Sequence, residues 1–290
     1  MKSSERIPLT AIILSYNEEH NLGECLESIA GWTKQTFVVD SGSRDRTKEI
    51  ALKYGVSFVE HAFETHAKQW RWALSQLPVS TNWVLGLDAD QYVTAELKEE
   101  ITQLFTKDKS RLLENNGFYL NRRQIFRGRW IRHGGYYPKY LLKLFQLDKV
   151  RTDEHDLVDH HFYVQGKVDK LRADLVEDNR KEEDISFWIE KHNRYAQLQA
   201  KEEFLRRING KSSPIQPNYF GNPDQKVAWL KRQWTLFPLY VRPCFYFIYR
   251  YFLKLGFLDG KEGFIFHFLH GFWYPLLIDI HLEKLLEESR

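Results

Sequence analysis

Asp88 and Asp90 stand one residue apart at the end of the apolar run Trp83-Val84-Leu85-Gly86-Leu87. Side chains on a strand alternate faces, so a continued strand would send both carboxylates to the same side. Hard divalent cations such as Mg2+ and Mn2+ take oxygen ligands of this kind and keep positions open for phosphate oxygens. Asp40 closes a second apolar run, and Ser15, Asn17 and Glu18 follow a third. In an open α/β sheet, residues just past the carboxyl ends of parallel strands share one crevice. There Asp40 can accept a base N–H, Asp88 can take ribose hydroxyls and Asp90 a metal. Diphosphate charge would fall to the metal and to basic residues such as Lys68 and Arg71. No GxGxxG and no Walker lysine motif occurs, so neither the dinucleotide fingerprint nor the P-loop is present.

The elements that must position these groups are legible in the hydrophobic pattern. Strands are expected at residues 7–14, 36–39, 56–59 and 82–87, because each is a short apolar run. Between them, Leu22, Cys25, Leu26 and Ile29 recur at helical spacing, with Asn17 as the cap; Ser43 or Asp45 caps a second helix, and 66–77 forms a third. Strands alternating with helices predict an α/β, doubly wound, mostly parallel sheet. After a helix at 94–105 the pattern changes: strands are expected at 117–126 and 140–146, another at 162–168, and a long amphipathic helix at 184–208. The basic stretch Arg122, Arg123, Arg127, Arg129, Arg132 and His133 reads either as a site for a phosphorylated acceptor or as a charged sheet edge. Trp70 and Trp72 are expected to pack rather than to form sugar platforms.

The chain has 290 residues and a net charge of +3, which gives no case for a nucleic-acid binder. Residues 1–225 are neutral, with 33 basic and 33 acidic side chains, whereas 226–261 carries seven basic residues and one acidic. In 234–274, 16 of 41 residues are aromatic, and Arg, Lys and Asp interrupt the apolar runs. Such a mixture suits amphipathic helices in a headgroup layer better than a spanning helix. The domains expected are therefore 1–208, catalytic; 209–225, a Ser/Pro/Asn/Gly-rich linker; and 226–290, for membrane association. The polar residues 1–6 show no signal peptide, and Cys25 and Cys244 lack metal-ligand spacing. Both features point to the cytoplasm, on the inner face of the plasma membrane.

Four segments together resemble the family 2 glycosyltransferases: Ile-Leu-Ser-Tyr-Asn-Glu-Glu (13–19), Val-Val-Asp-Ser-Gly-Ser-Arg-Asp-Arg-Thr (38–47), Ala-Lys-Gln-Trp-Arg-Trp-Ala-Leu (67–74) and Leu-Asp-Ala-Asp (87–90). Phe-Trp-Ile-Glu-Lys-His-Asn-Arg-Tyr-Ala (187–196) and the run from Tyr249 to Gly260 are similar to a bacterial branch that assembles lipopolysaccharide and surface polysaccharide. The resemblance implies the GT-A fold, a UDP-sugar donor, Mn2+ or Mg2+, and inversion at the anomeric carbon. It implies base binding at Asp40, ribose and diphosphate contacts at Asp88 and metal binding at Asp90. Two positions depart from many relatives: Gln91, where Glu is common, and Arg71, where Asn is common.

Inversion needs a base for the acceptor hydroxyl. The acidic run 153–161 lies at the expected distance past the Asp-x-Asp, and Glu154 is the first choice, then Asp159, then Asp156. The acceptor implied is a hydroxyl of a lipid-linked or lipopolysaccharide-core glycan. Two other functions fit the same residues: a polyprenyl-phosphate sugar synthase, and a non-catalytic membrane adaptor with a nucleotide-sugar fold.

Overall fold

The computed structural model describes residues 6–152, 161–209 and 215–289. Two compact units emerge, Met1–Ile125 with Pro138–Arg180, and Phe126–Tyr137 with Lys181–Arg290. The long helix thus belongs with the C-terminal helices, whereas the boundary drawn from composition stands at 208.

In the first unit, strands β1 (Ile7–Ser15), β2 (Thr33–Asp40), β3 (Ser57–Glu60) and β4 (Trp83–Asp88) alternate with helices α1 (Leu22–Ile29), α2 (Thr47–Lys53) and α3 (His66–Gln76). The pairs β2–β3, β1–β2 and β1–β4 are all parallel. The chain continues through β5 (Gln91–Val93), α4 (Ala95–Thr106), α5 (Lys109–Glu114), β6 (Gly117–Phe126), β7 (Arg129–Trp130), β8 (Tyr140–Gln146), β9 (Val150–Arg151), β10 (Tyr163–Val164) and β11 (Val168–Glu177). The main sheet runs β3-β2-β1-β4-β8-β6-β11-β5. Beyond β4 it is mixed: β8 is antiparallel to both β4 and β6, β11 is parallel to β6, and β5 is antiparallel to β11. The strand expected at 162–168 is instead the short β10, antiparallel to β9, followed by the start of β11.

Alternation along β1 explains why the sheet is covered on both faces. Leu9, Ala11 and Ile13 pack with Leu22, Cys25, Leu26 and Ile29 of α1 and with Leu97, Ile101 and Leu104 of α4. Ile12 and Leu14 pack on the other face with Trp70, Ala73 and Leu77 and with Phe145 and Phe162. Trp70 is therefore core, and Trp72 stacks on His61 with ring centroids 4.2 Å apart.

Three local expectations are corrected. Asn17 does not cap α1; the cap position is Asn21, and Asn17 lies in the preceding loop at φ 51°. The strand stops at Asp88, and Ala89-Asp90 forms a turn, so strand alternation does not orient Asp90. Nor is β6 an edge, since β8 and β11 flank it; Arg122 pairs with Glu177 at 2.8 Å and Arg123 with Asp174 at 2.5 Å.

The second unit contains α6 (Ile185–Asn209), α7 (Pro223–Trp234), α8 (Val241–Ile248), α9 (Gly260–Phe268) and α10 (Tyr274–Glu288). A π-helical turn, Tyr249–Leu253, extends α8, and another, Leu269–Trp273, joins α9 to α10. Ala196 and Ala200 of α6 pack against Tyr274, Ile278 and Leu282 of α10. Arg242 is fully buried, with Nε 2.6 Å from Asp279 Oδ1 and Nη1 3.0 Å from Glu203 Oε1. A second buried guanidinium, Arg250, donates from Nε to the Gly134 carbonyl at 2.9 Å and lies over the Tyr136 ring. Gly134 (φ 68°) and Gly256 press on the buried His267 ring, which would lie 2.1 and 2.6 Å from a Cβ at those positions.

Candidate active site

The loops after β1 and β2 are fastened to each other by side chains accepting from backbone. Ser43 Oγ accepts from Asn17 N at 2.7 Å, Thr47 Oγ1 from Glu18 N at 2.7 Å, and Asp45 Oδ2 from Glu19 N at 3.0 Å. Asn17 returns the bond, its Oδ1 accepting from Arg44 N at 2.9 Å. Asp40 lies buried at the centre. Its Oδ1 accepts from Gly42 N (2.9 Å) and Ser43 N (2.7 Å), and its Oδ2 from Ser15 Oγ (2.8 Å) and Ser43 Oγ (2.5 Å). A carboxylate offers about four acceptor positions, so acceptance of a base N–H by Asp40 requires one of these bonds to yield. Glu18 Oε2 accepts from Asn21 Nδ2 at 2.7 Å.

The turn after β4 is held by a chain of polar contacts. Gln91 is buried; its Oε1 accepts from Asp88 N at 3.1 Å, and its Nε2 donates to Glu177 Oε2 at 2.8 Å. Arg122 Nη1 donates to the other Glu177 oxygen at 2.8 Å. Burial alone would raise the Glu177 pKa, but Arg122 and the Gln91 amide hold it below the usual carboxylate value. On the opposite side Lys143 of β8, a buried lysine, places Nζ 2.8 Å from Asp88 Oδ2. Burial pushes the Cys25 thiol far up, and the charges of Asp90, Asp88 and Glu18 add to the shift. Cys25 Sγ of α1 lies 3.9 Å from the Asp88 carbonyl, beneath the turn.

Of the two basic residues expected near a diphosphate, both lie on the exposed face of α3. Thr65 caps this helix, and the Lys68 ammonium pairs with Glu64. Gln69 ties the helix to the strand ends, donating from Nε2 to Ser41 Oγ at 3.3 Å and meeting His61 Nδ1 at 2.7 Å through Oε1. Glu154, Asp156 and Asp159 lie outside the described residues. The residues flanking that segment are anchored: Thr152 Oγ1 donates to the Ala67 carbonyl at 3.3 Å, and Phe162 packs edge-on against Trp70.

The family model for glycosyl transferase family 2 matches residues 10–173, more than half the chain and all of the region just described except Glu177. The chain belongs to that family. Among individual members, it is similar to the lipopolysaccharide core biosynthesis glycosyltransferase LpsC of Rhizobium meliloti, 26% identical over 288 residues that cover 91% of this chain and 90% of LpsC. Among solved structures it resembles residues 1–349 of S. aureus TarS in complex with UDP (TM-score 0.42, 16% identity, 97% of this chain and 92% of that one). It also resembles the glucosyl-3-phosphoglycerate synthase of Mycobacterium tuberculosis in complex with Mn2+, UDP and glucosyl-3-phosphoglycerate (TM-score 0.42, 15% identity, 72% and 82%).

For a family 2 glycosyltransferase the question at this turn is whether its residues suit a divalent cation. Among the described residues, no group of three or more His, Cys, Asp or Glu side chains is placed to hold one. Asp88 and Asp90 are two hard oxygen donors on a partly exposed turn, and Mg2+ is commonly held by one or two carboxylates plus substrate phosphates and water. The residues fit that mode and do not fit an all-protein cage. Lys143 and the Gln91–Glu177–Arg122 chain escaped the sequence reading. A lysine inside the apolar run Tyr-Leu-Leu-Lys-Leu-Phe was the one available signal, since a buried ammonium requires a carboxylate partner.

Proposed function

We propose that this chain is a metal-dependent, inverting glycosyltransferase that moves a sugar from a UDP-sugar to a hydroxyl of a lipid-linked or lipopolysaccharide-core glycan at the cytosolic face of the inner membrane. The observation that carries the reading is the turn Asp88-Ala89-Asp90, pinned by Gln91 and Lys143 beside the fastened loops of β1 and β2. The family membership supports sugar transfer, and the near full-length similarity to LpsC supports the acceptor class.

Asp90, with Asp88, would hold Mn2+ or Mg2+, which when bound neutralises charge on the diphosphate. Asp88 faces the ribose while Lys143 fixes its rotamer and balances its charge. Asp40, Ser15 and Asn17 shape the nucleoside side of the crevice; Glu18 lines it, and Lys68 and Arg71 supply positive charge toward the phosphates. The acceptor oxygen attacks the anomeric carbon from the face opposite the diphosphate. As that bond forms, the bond from the anomeric carbon to the phosphate oxygen breaks, UDP departs with the electron pair, and the hydroxyl proton passes to a carboxylate. Glu154 is assigned that role, with Asp159 and Asp156 behind it.

The test is a transfer assay with a panel of UDP-sugars, comparing deacylated core oligosaccharide with polyprenyl phosphate as acceptors. The product's anomeric configuration is read by NMR. Transfer to the oligosaccharide with inversion is expected. Transfer to polyprenyl phosphate alone would replace this reading with the synthase.

A further inference from the structure

We infer that the surface formed by α8, its π-helical extension and the segment leading into α9 is a lipid-insertion face that lies in the plane of an anionic bilayer. This deepens the membrane-side part of the reading above without depending on the transfer reaction. Phe245, Ile248, Phe252, Leu253, Phe257 and Leu258 are all exposed, Leu253 by 70% and Phe245 by 57%. Soluble proteins seldom leave so many large apolar side chains in one patch facing water. Ring contacts make the patch continuous: Tyr251 touches Phe252, Phe257 and Phe264, and Phe247 touches Phe252 and Phe268.

The fold sorts the charge of this stretch by burial, which the sequence does not reveal. Of the seven basic residues in 226–261, Arg242 and Arg250 are buried and engaged, and the single acid, Asp259, is buried against His133. Lys254 and Lys261 remain exposed in the segment leading from the π-helical turn into α9, and Lys226, Lys231 and Arg232 on α7, with no exposed acid within 226–261. Two copies face to face would oppose like charges, whereas anionic headgroups would neutralise them. An apolar face that carries exposed cations is the pattern of an interfacial helix.

The same geometry argues against crossing. Gly256–Glu288 is, among the described residues, the one helical stretch long and apolar enough to span a bilayer, with mean hydropathy 1.2. Its second half, however, is committed to protein: Ile278 and Leu282 pack on α6, and the buried Asp279 holds Arg242. Spanning would carry that ion pair into hydrocarbon.

The test uses the full chain and no nucleotide or sugar, so its outcome is separate from that of the transfer assay. Sedimentation is measured with neutral phosphatidylcholine vesicles and with vesicles containing 30% phosphatidylglycerol. Wild type is expected to bind the anionic vesicles, and to be released by alkaline carbonate as a non-spanning protein. The double substitution Leu253→Ser, Leu258→Ser should weaken binding at least roughly tenfold with an unchanged Tm, and Lys254→Glu with Lys261→Glu should abolish the anionic preference. The wild-type chain supplies an independent probe: Cys244 is exposed and Cys25 buried, so a polarity-sensitive fluorophore on Cys244 should shift to the blue with anionic vesicles. No shift and no sedimentation with either vesicle would overturn the inference. So would resistance to carbonate, or a lipid-free dimer that the leucine substitutions dissociate.

Discussion

Gln91 joins three things with one amide: it accepts from the Asp88 backbone, donates to Glu177, and through that carboxylate is tied to Arg122. A carboxylate at 91 could keep the first bond but not the second. Gln91→Glu should therefore set two buried carboxylates against each other and cost about 1–3 kcal/mol, seen as a lower Tm. The Glu177 pKa is depressed in the folded state. Its contribution is thus complete above the ordinary carboxylate range and is lost as pH falls through the folded value; urea melts from pH 7 to 3 should show a shallower acid loss in Glu177→Gln. His267 behaves similarly for a different reason. Burial, with Arg250 and His133 nearby, lowers its pKa to about 3, so the unfolded chain binds the proton first. Stability should fall from about pH 6.5 down to about pH 3 by up to about 1.4 kcal/mol per unit, and His267→Gln should remove that slope. The carboxylates were legible because polar residues ending apolar runs stand out. Lys143, Glu177 and the link from Gln91 to Glu177 were not, because their meaning lies in partners on strands distant in sequence.

At the scale of elements, short apolar runs were enough to place the first four strands and helical spacing to place α1, and β6 and β8 begin and end where the pattern predicts. β11 was missed for a physical reason. Its Asp174 and Glu177 look like loop residues until they meet Arg123 and Arg122 on β6, and hydropathy cannot see an ion pair across a sheet. The end of β4 was legible to within one residue, at Leu87 against Asp88, but not that Ala89-Asp90 turns away from strand geometry and so frees Asp90 from strand alternation. Gly86 in β4 illustrates how tightly the layer under the site is packed: a Cβ there would meet Phe162 at 3.0 Å and Trp70 at 3.1 Å. Gly86→Ala should cost about 1–3 kcal/mol, measurable by chemical denaturation; an unchanged midpoint would show that Phe162 yields. In the second unit, Asp279→Ala should cost about 3 kcal/mol or more, because it removes one carboxylate from the fully buried Arg242.

For the molecule as a whole, the sequence separates a neutral N-terminal part from a basic, aromatic C-terminal one, and the fold gives each a physical form. The first unit gathers strand ends and two fastened loops around the Asp-x-Asp turn; the second buries the Arg242–Asp279 pair and leaves cations and apolar rings outside. Family membership was legible in four short motifs, which lie at the ends of β1, β2 and β4 with the loops that follow them, and on α3. The donor sugar was not, because no motif residue distinguishes one hexose from another. The central claim is that the β4 turn grips a nucleotide diphosphate through a cation. Its most direct test is calorimetric titration of UDP into wild type and Asp90→Ala, each with and without Mn2+. The expected result is Mn2+-dependent binding by wild type, weakened at least roughly 100-fold in the variant, with both proteins melting at the same temperature. Equal UDP affinity in all four titrations would contradict it.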